Sequence, residues 1–177
     1  MNRKHYAATF VTALLLLTAG PAVAEPSAAF NFVAHLDGTQ EVPLRETSAT
    51  GQTTFQLDTD GTALSYKLIV ANIENVVAAH IHLAIAGING PVVAFLAGPF
   101  APGEGRLNGV IAEGTITADD LVGPLVGMQL SVLLEAMRTD GTYVNVHTND
   151  GIDPANSGPG DFPGGEVRGQ IMAAGSR

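Results

Sequence analysis

Apolar and polar residues alternate with a period of two in several short stretches of the chain, which is typical of β-strands with one buried face. In residues 63–70, for example, Leu64, Tyr66 and Leu68 share one face, and polar side chains separate them. On this pattern we predict strands at residues 30–36, 53–57, 63–70, 76–83, 92–96, 107–116, 143–148 and 166–172. The 21 glycines and 10 prolines supply the turns between them.

Two segments depart from alternation and predict short helices. Residues 131–138 place Leu133, Leu134 and Met137 on one helical face, with Ser131 as the N-cap. Thr117 is suited to capping a second, shorter helix. Many short strands with one or two brief helices predict an all-β fold, an antiparallel Greek-key sandwich or barrel.

The first residues predict a secretory signal peptide rather than part of the fold. A basic start at Arg3 and Lys4 precedes an apolar run over residues 7–19, and Ala22-Val23-Ala24 resembles a cleavage site. The alternative is a membrane anchor, but the run is shorter than the roughly 20 residues that span a bilayer. We therefore expect residues 1–24 to be removed, residues 25–177 to form one domain, and the mature protein to be secreted or periplasmic without a membrane span.

Charge and cysteine content exclude several classes of function. The whole chain carries a net charge of −9, and loss of residues 1–24 would remove two of its eight basic residues and none of its 17 acidic ones, leaving −11. Such an acidic protein is not expected to bind nucleic acid. Because the chain has no cysteine, a thiolate nucleophile, an iron–sulfur cluster and a cysteine-ligated zinc site are excluded.

Two histidines on one predicted strand form the main candidate site. His80 and His82 are two residues apart, so both side chains point to the same side of the strand and could chelate one metal ion. Val77, Ala79 and Ile81 point to the other side, which we predict to be core. The alternative is two exposed or hydrogen-bonded histidines on a sheet face.

Two further polar residues on later strands could complete this site. His147 shares the polar face of residues 143–148 and is the candidate third ligand. Arg168, between two polar neighbours, is suited to guiding a small anion as a catalytic residue, although a structural ion pair is the commoner role of such an arginine. His35 is a weaker candidate ligand, because only its position on a predicted strand supports such a role. The aspartates of residues 149–161 fit no calcium loop, so we expect that segment to be a solvated loop.

Six ordered motifs make the chain resemble the CHRD family, named for its occurrence in chordin. They are Ala34-x-Leu36-x-Gly38 with Glu41-Val42-Pro43 and Ala49-Thr50-Gly51; Ala79-His80-Ile81-His82; Gly87-x-x-Gly90-Pro91-Val92; Asp120-Leu121 with Gly123-Pro124-Leu125; Tyr143-Val144-Asn145-Val146-His147-Thr148; and Gly165-Glu166-Val167-Arg168-Gly169-Gln170-Ile171. The resemblance implies an immunoglobulin-like or similar β fold outside the cytoplasm, and it implies no settled activity. The loop after His147 is longer here than in the family.

The chain is also similar, more distantly, to copper/zinc superoxide dismutases. The shared features are a His-x-His strand, a later histidine-bearing strand and an arginine near the C-terminus. That likeness implies copper on His80, His82 and His147, with Arg168 attracting superoxide. The chain lacks the disulfide and the zinc loop of those enzymes, so the likeness extends to a copper-only site.

Three hypotheses follow from these observations. The first is an exported copper-binding protein, with superoxide turnover as its enzymatic version. The second is a non-catalytic module that binds an extracellular protein or glycan. The third is a protein with a structural zinc site. Hydrolases are disfavoured, because no Gly-x-Ser-x-Gly motif and no distinct carboxylate pair is present.

Overall fold

The computed structural model describes residues 31–175, which form a mostly antiparallel β protein. Its strands are Asn31–Asp37 (β1), Thr50–Leu57 (β2), Leu64–Glu74 (β3), Val76–Leu83 (β4), Val92–Ala97 (β5), Arg106–Ile116 (β6), Thr142–Thr148 (β7), Val167–Gln170 (β8) and Met172–Ala173 (β9). The α-helix is Leu130–Arg138 (α1), and 3-10 helices occupy Gly38–Gln40, Ala118–Asp120 and Gly123–Leu125. The predicted signal peptide lies outside the described residues.

The nine strands form one continuous sheet rather than two separate sheets. Its order is β5-β4-β7-β8-β1-β2-β3-β6, with β9 paired to β1, and every pairing is antiparallel. The end strands β5 and β6 lie against each other, so the sheet curls into a nearly closed barrel. The succession β3, β6, β5, β4 around the barrel has the connectivity of a Greek key, as predicted. The all-β prediction is confirmed in its barrel form.

Alternation along the strands builds the core as the sequence predicts. In β1, for example, Phe32, Ala34 and Leu36 are buried, and the residues between them are exposed or half-buried. The prediction that Val77 is core is wrong, because Val76 is buried in its place. A register shift between Val76 and Ala78 in the pairing with β7 breaks the alternation at that point.

The helices add to the same core. Leu133, Leu134 and Met137 of α1 are all buried, which confirms the predicted apolar face. The predicted cap is wrong: Gln129 occupies the N-cap position, and Ser131 lies inside the helix. The short helix after Thr117 is present over Ala118–Asp120. Within residues 31–175, no helix combines the length and the apolar character needed to cross a bilayer.

The outer face of β4, β7 and β8 is covered by loops instead of facing water. Glu166 is fully buried under them, and its carboxylate accepts hydrogen bonds from Thr47 Oγ1 at 2.6 Å, Thr148 Oγ1 at 2.7 Å and the Gly160 N–H at 2.8 Å. These donors belong to the segment before β2, to β7 and to the loop after β7. The Glu166 carboxylate therefore holds two covering loops against the sheet. These loops shield the polar residues of this face from water.

Truncation of Met137 to alanine should destabilise the protein by about 2–5 kcal/mol, because its fully buried side chain would leave a cavity in the core. The measurement is urea unfolding followed by circular dichroism. Val132, on the exposed face of the same helix, is the matched control, and its alanine variant should stay within about 0.5 kcal/mol of the parent. Equal effects of the two substitutions would contradict the assignment of the core face of α1.

Candidate metal centre

The pairing of β4 with β7 brings the three candidate histidines together. The register pairs Ala78 with His147, His80 with Asn145, and His82 with Tyr143. Residues that alternate along two paired strands project to one face of a sheet, so His80, His82 and His147 share the outer face of the barrel wall. His82 is buried, with 8% of its surface exposed, whereas His80 and His147 are half-buried.

The three imidazoles offer nitrogen atoms to one point in space. One ring nitrogen from each histidine lies within 4.8 Å of the other two. The ring centroids are 4.9 Å apart for His80 and His147, and 5.7 Å apart for the two pairs that include His82. The closest contact is 3.1 Å, between His80 Nδ1 and His147 Nε2. This spacing is suited to three ligands of a single metal ion.

Backbone carbonyls determine which nitrogen of two of these rings carries the proton. His82 Nδ1 lies 2.9 Å from the Gly90 carbonyl oxygen, and His147 Nδ1 lies 2.9 Å from that of Pro163. Because a carbonyl only accepts, each Nδ1 must donate, and in the neutral ring each Nε2 keeps a free lone pair. Metal-binding histidines in proteins are commonly oriented in this way by a hydrogen bond on the nitrogen that faces away from the metal.

The unpartnered nitrogen of His82 tests whether a metal fits this site. His82 Nε2 is buried, and no group among residues 31–175 forms a hydrogen bond with it. A buried polar atom of this kind is costly unless something binds it. A metal ion shared with His80 and His147 would satisfy it, so the residues that are present fit the ion.

Burial keeps all three imidazoles uncharged near neutral pH. Desolvation, together with the neighbouring His147 and His82, lowers the pKa of His80 to about 4. Desolvation also lowers the pKa of His147 to about 4, although its hydrogen bond to Pro163 acts in the opposite sense. The pKa of His82 is lowered mainly by desolvation. A neutral imidazole is the form that binds metal.

Aromatic side chains flank the cluster on two sides. The ring of Phe95, on β5, meets His80 edge-on at 4.9 Å between centroids, and Phe95 is 55% exposed. The ring of Tyr143 stacks on His82 at 4.8 Å with only 11° between the planes. The cluster therefore reaches the surface beside Phe95 and is enclosed on the Tyr143 side.

Arg168 lies behind Tyr143 and is only 1% exposed. Its Cζ is 3.4 Å from the centre of the Tyr143 ring, and its Nη atoms donate to the Ile85 carbonyl and to Asn89 Oδ1. The sequence pattern placed Arg168 on a polar strand face between Glu166 and Gln170, but it could not show that loops cover this face. Its assignment as a catalytic anion guide stays a prediction.

A buried pair that the sequence analysis did not single out lies next to the histidines. Glu41 is 5% exposed, and burial raises its pKa to about 7 despite the opposing fields of Arg168 and Arg45. Its Oε2 accepts a 3.4 Å hydrogen bond from Nδ2 of Asn145, the residue paired with His80. The only sequence signal for Glu41 was its place in the Glu41-Val42-Pro43 motif.

Gly165 leaves room for this pair. Its φ is +124°, and a Cβ there would lie 2.4 Å from Asn145 Oδ1 and 2.7 Å from Glu41 Oε1. A side chain at position 165 would therefore collide with both polar groups. The glycine of the Gly165-Glu166 motif is thus explained by the close approach of the loop backbone to the covered face.

The loop after β7 is only partly the solvated segment that the sequence predicted. Residues 151–157 are exposed, but Asp161 and Phe162 are buried, and Pro163 supplies the carbonyl that binds His147. The prediction of a solvated loop over residues 149–161 is therefore wrong at its end, where Gly160 and Asp161 are buried. His35 is exposed on β1 and is not part of the cluster.

Comparison with models of known protein families gives a match. The family model of the CHRD domain matches residues 32–171. This range contains all three histidines, Arg168 and every strand from β2 to β8. A search of curated proteins found no match.

In the metal-free protein, the ring signals of His80 and His147 should titrate with midpoints near 4 rather than 6.5. The unfolded chain would bind more protons at these rings between those pH values, so their contribution to the free energy of unfolding is complete above pH 6.5 and falls as the pH drops toward 4. The measurement is a pH titration of histidine ring protons by NMR. Midpoints between 6 and 7 would contradict the desolvation of these two imidazoles described above.

Proposed function

The chain belongs to the CHRD domain family, and on that premise we propose that this member binds a metal ion, copper in the first place, through His80, His82 and His147. The observation that carries the proposal is the convergence of three neutral imidazoles, one of which has a buried nitrogen without a partner in the described part of the chain. Two of the three rings are already oriented by carbonyls on their far side.

The chemistry of the donor set favours copper. All three ligands are imidazole nitrogens, which suit copper, zinc and nickel, whereas calcium and magnesium prefer oxygen ligands. For one such site, Cu²⁺ is generally bound more tightly than the other divalent first-row metals. Three ligands leave a coordination position open, which a structural zinc site with four protein ligands does not.

The metal-free arrangement would change at His80. In the neutral cluster His147 Nε2 has a lone pair directed at His80 Nδ1, so a hydrogen on His80 Nδ1 would donate to it. Coordination by both atoms would break this hydrogen bond and move the His80 proton to Nε2. His82 and His147 would keep their tautomers, so most of the site is organised before the ion binds.

The enzymatic version of the proposal is turnover of superoxide. When bound, copper supplies one-electron exchange between two oxidation states, which is the chemistry that superoxide dismutation requires. The half-buried His80, beside the exposed Phe95, provides the side from which a small anion would approach. The predicted signal peptide is the support for a secreted or periplasmic location, which we include in the proposal.

Alanine replacement of His80 and His82 together should abolish tight copper binding, since a single remaining imidazole cannot chelate the ion. The His147→Ala variant should bind copper at least about 100-fold more weakly, because loss of a ligand should cost no less than loss of a residue that orients one, which typically costs about 10- to 100-fold. The measurement is titration of the mature protein with Cu²⁺ against a competing chelator, repeated with Zn²⁺. His35→Ala is the matched control, because His35 is exposed and lies outside the cluster.

The same titration separates the competing functions. Unchanged copper affinity in the double variant would rule out the proposed site. Tighter binding of zinc than of copper, with a melting temperature that falls on chelation, would favour a structural zinc site. Failure of the parent protein to bind either metal would favour the second candidate, a module that binds an extracellular protein or glycan.

The copper-loaded protein should consume superoxide faster than free superoxide decays, and the His80→Ala/His82→Ala variant should not. The measurement is the decay of superoxide absorbance after rapid mixing, with the His35→Ala protein as the positive control. Copper binding without superoxide consumption would contradict the enzymatic version and leave metal binding as the function.

A further inference from the structure

Three flat groups form a column beside the cluster. The Arg168 guanidinium lies over the Tyr143 ring at 3.4 Å, and the His82 imidazole stacks on the same ring at 4.8 Å. Arg168 comes from β8 and His82 from β4, the two strands that flank β7 on opposite sides. The guanidinium and the imidazole therefore occupy opposite faces of the ring, which lies between them.

Gly90 holds two members of this column through its two backbone polar groups. The Gly90 carbonyl accepts from His82 Nδ1 at 2.9 Å, and the Gly90 N–H donates to the Tyr143 hydroxyl at 3.1 Å. A Cβ at position 90 would lie 2.1 Å from the Leu83 carbonyl oxygen, so only glycine allows the peptide to approach this closely. The orientation of His82 depends both on the stack and on the position of this loop.

Arg168 also holds the loop that carries Gly90. Its Nη2 donates to the Ile85 carbonyl at 3.1 Å, and its Nη1 donates to Asn89 Oδ1 at 3.3 Å. Asn89 in turn donates to the Val42 carbonyl at 2.7 Å, which ties this loop to the segment after β1. The guanidinium therefore acts on His82 by two routes: through the Tyr143 ring and through the loop from Ile85 to Gly90.

We propose that Arg168 is a positioning residue of the metal centre, which fixes the plane and the hydrogen bond of His82 through Tyr143 and Gly90 instead of meeting an anion itself. The proposal rests on the proposed function only in assigning His82 a metal to bind. The planar guanidinium is essential to it, because a lysine ammonium can neither stack flat on the ring nor hold two acceptors in the same fork. Its burial, at 1% exposure, agrees with a supporting role.

The first test uses the metal-free protein. Exchange of the His82 Nδ1 proton with solvent, followed by NMR, should be about 10-fold faster in Arg168→Lys and in Arg168→Gln than in the parent. The Tyr143→Phe variant, which keeps the ring but loses the hydroxyl that binds Gly90, should show a smaller increase. Arg106→Gln, which removes the same charge from a surface ion pair with Glu74, should leave the exchange rate unchanged.

Backbone amides separate positioning from general stability. The amide protons of Val144 and Val146 on β7 report opening of the sheet in the same sample. If Arg168 positions His82, the ring proton accelerates more than these amides do. Equal acceleration of ring and amides would overturn the proposal in favour of a merely structural role, and so would an unchanged His82 exchange rate in the Arg168→Lys protein.

The second test measures the metal. Competition titration should show Cu²⁺ binding weakened roughly 10- to 100-fold by Arg168→Lys, as for other residues that orient ligands, with less than a twofold change for Arg106→Gln. Parent-level copper affinity together with weakened azide binding to the copper-loaded variant would show that Arg168 guides anions, and would overturn the proposal. If the parent protein bound no copper, the proposed function would fail, and the proton exchange measurement would still decide the role of Arg168.

Discussion

The register between β4 and β7 is the constraint on which the rest of this structure depends. It pairs His80 with Asn145 and His82 with Tyr143, and it brings His147 beside the other two imidazoles. A shift by one residue would turn every side chain of β7 to the opposite face, placing Val144 and Val146 outside and His147 in the core. Because both valines are fully buried, the hydrophobic effect that holds the barrel together also holds the three nitrogens in place.

The strands, the buried face of α1 and the shared side of His80 and His82 could be predicted from the sequence, because each depends on local periodicity. The approach of His147 depends on the pairing of β4 with β7, which periodicity alone does not give. Alternation is enough to place His80 and His82 on one side of a strand. The burial of Val76 rather than Val77 could not be predicted, since a register shift depends on the pairing with the next strand. Ser131 has the chemistry of a cap, but the chain begins the helix one residue earlier, at Leu130.

The covered polar face explains why the sequence showed only part of the candidate site. Polar residues on alternate positions of β7 and β8 indicate a solvated face, yet Asn145, Glu166 and Arg168 are buried there. The loops that bury them lie outside these strands: Glu41 and Thr47 approach from before β2, and Pro163 approaches from after β7. Single-strand patterns carry no information about such contacts, so the roles of Glu41, Gly165 and the Pro163 carbonyl needed the structure.

The loop between β7 and β8 has two parts that should differ in how well they tolerate changes of sequence and length. Two hydrogen bonds hold its second part in place: His147 Nδ1 donates to the Pro163 carbonyl, and the Gly160 N–H donates to the Glu166 carboxylate. Residues 151–157, in contrast, face solvent. Exposed loop segments of this kind tolerate insertion when the backbone on either side stays anchored. A short tag or a fluorophore inserted at residues 153–155 would therefore lie only a few residues after His147 in the sequence. It would not displace the Pro163 carbonyl that orients this histidine. This makes the segment a natural attachment point for an optical sensor of site occupancy.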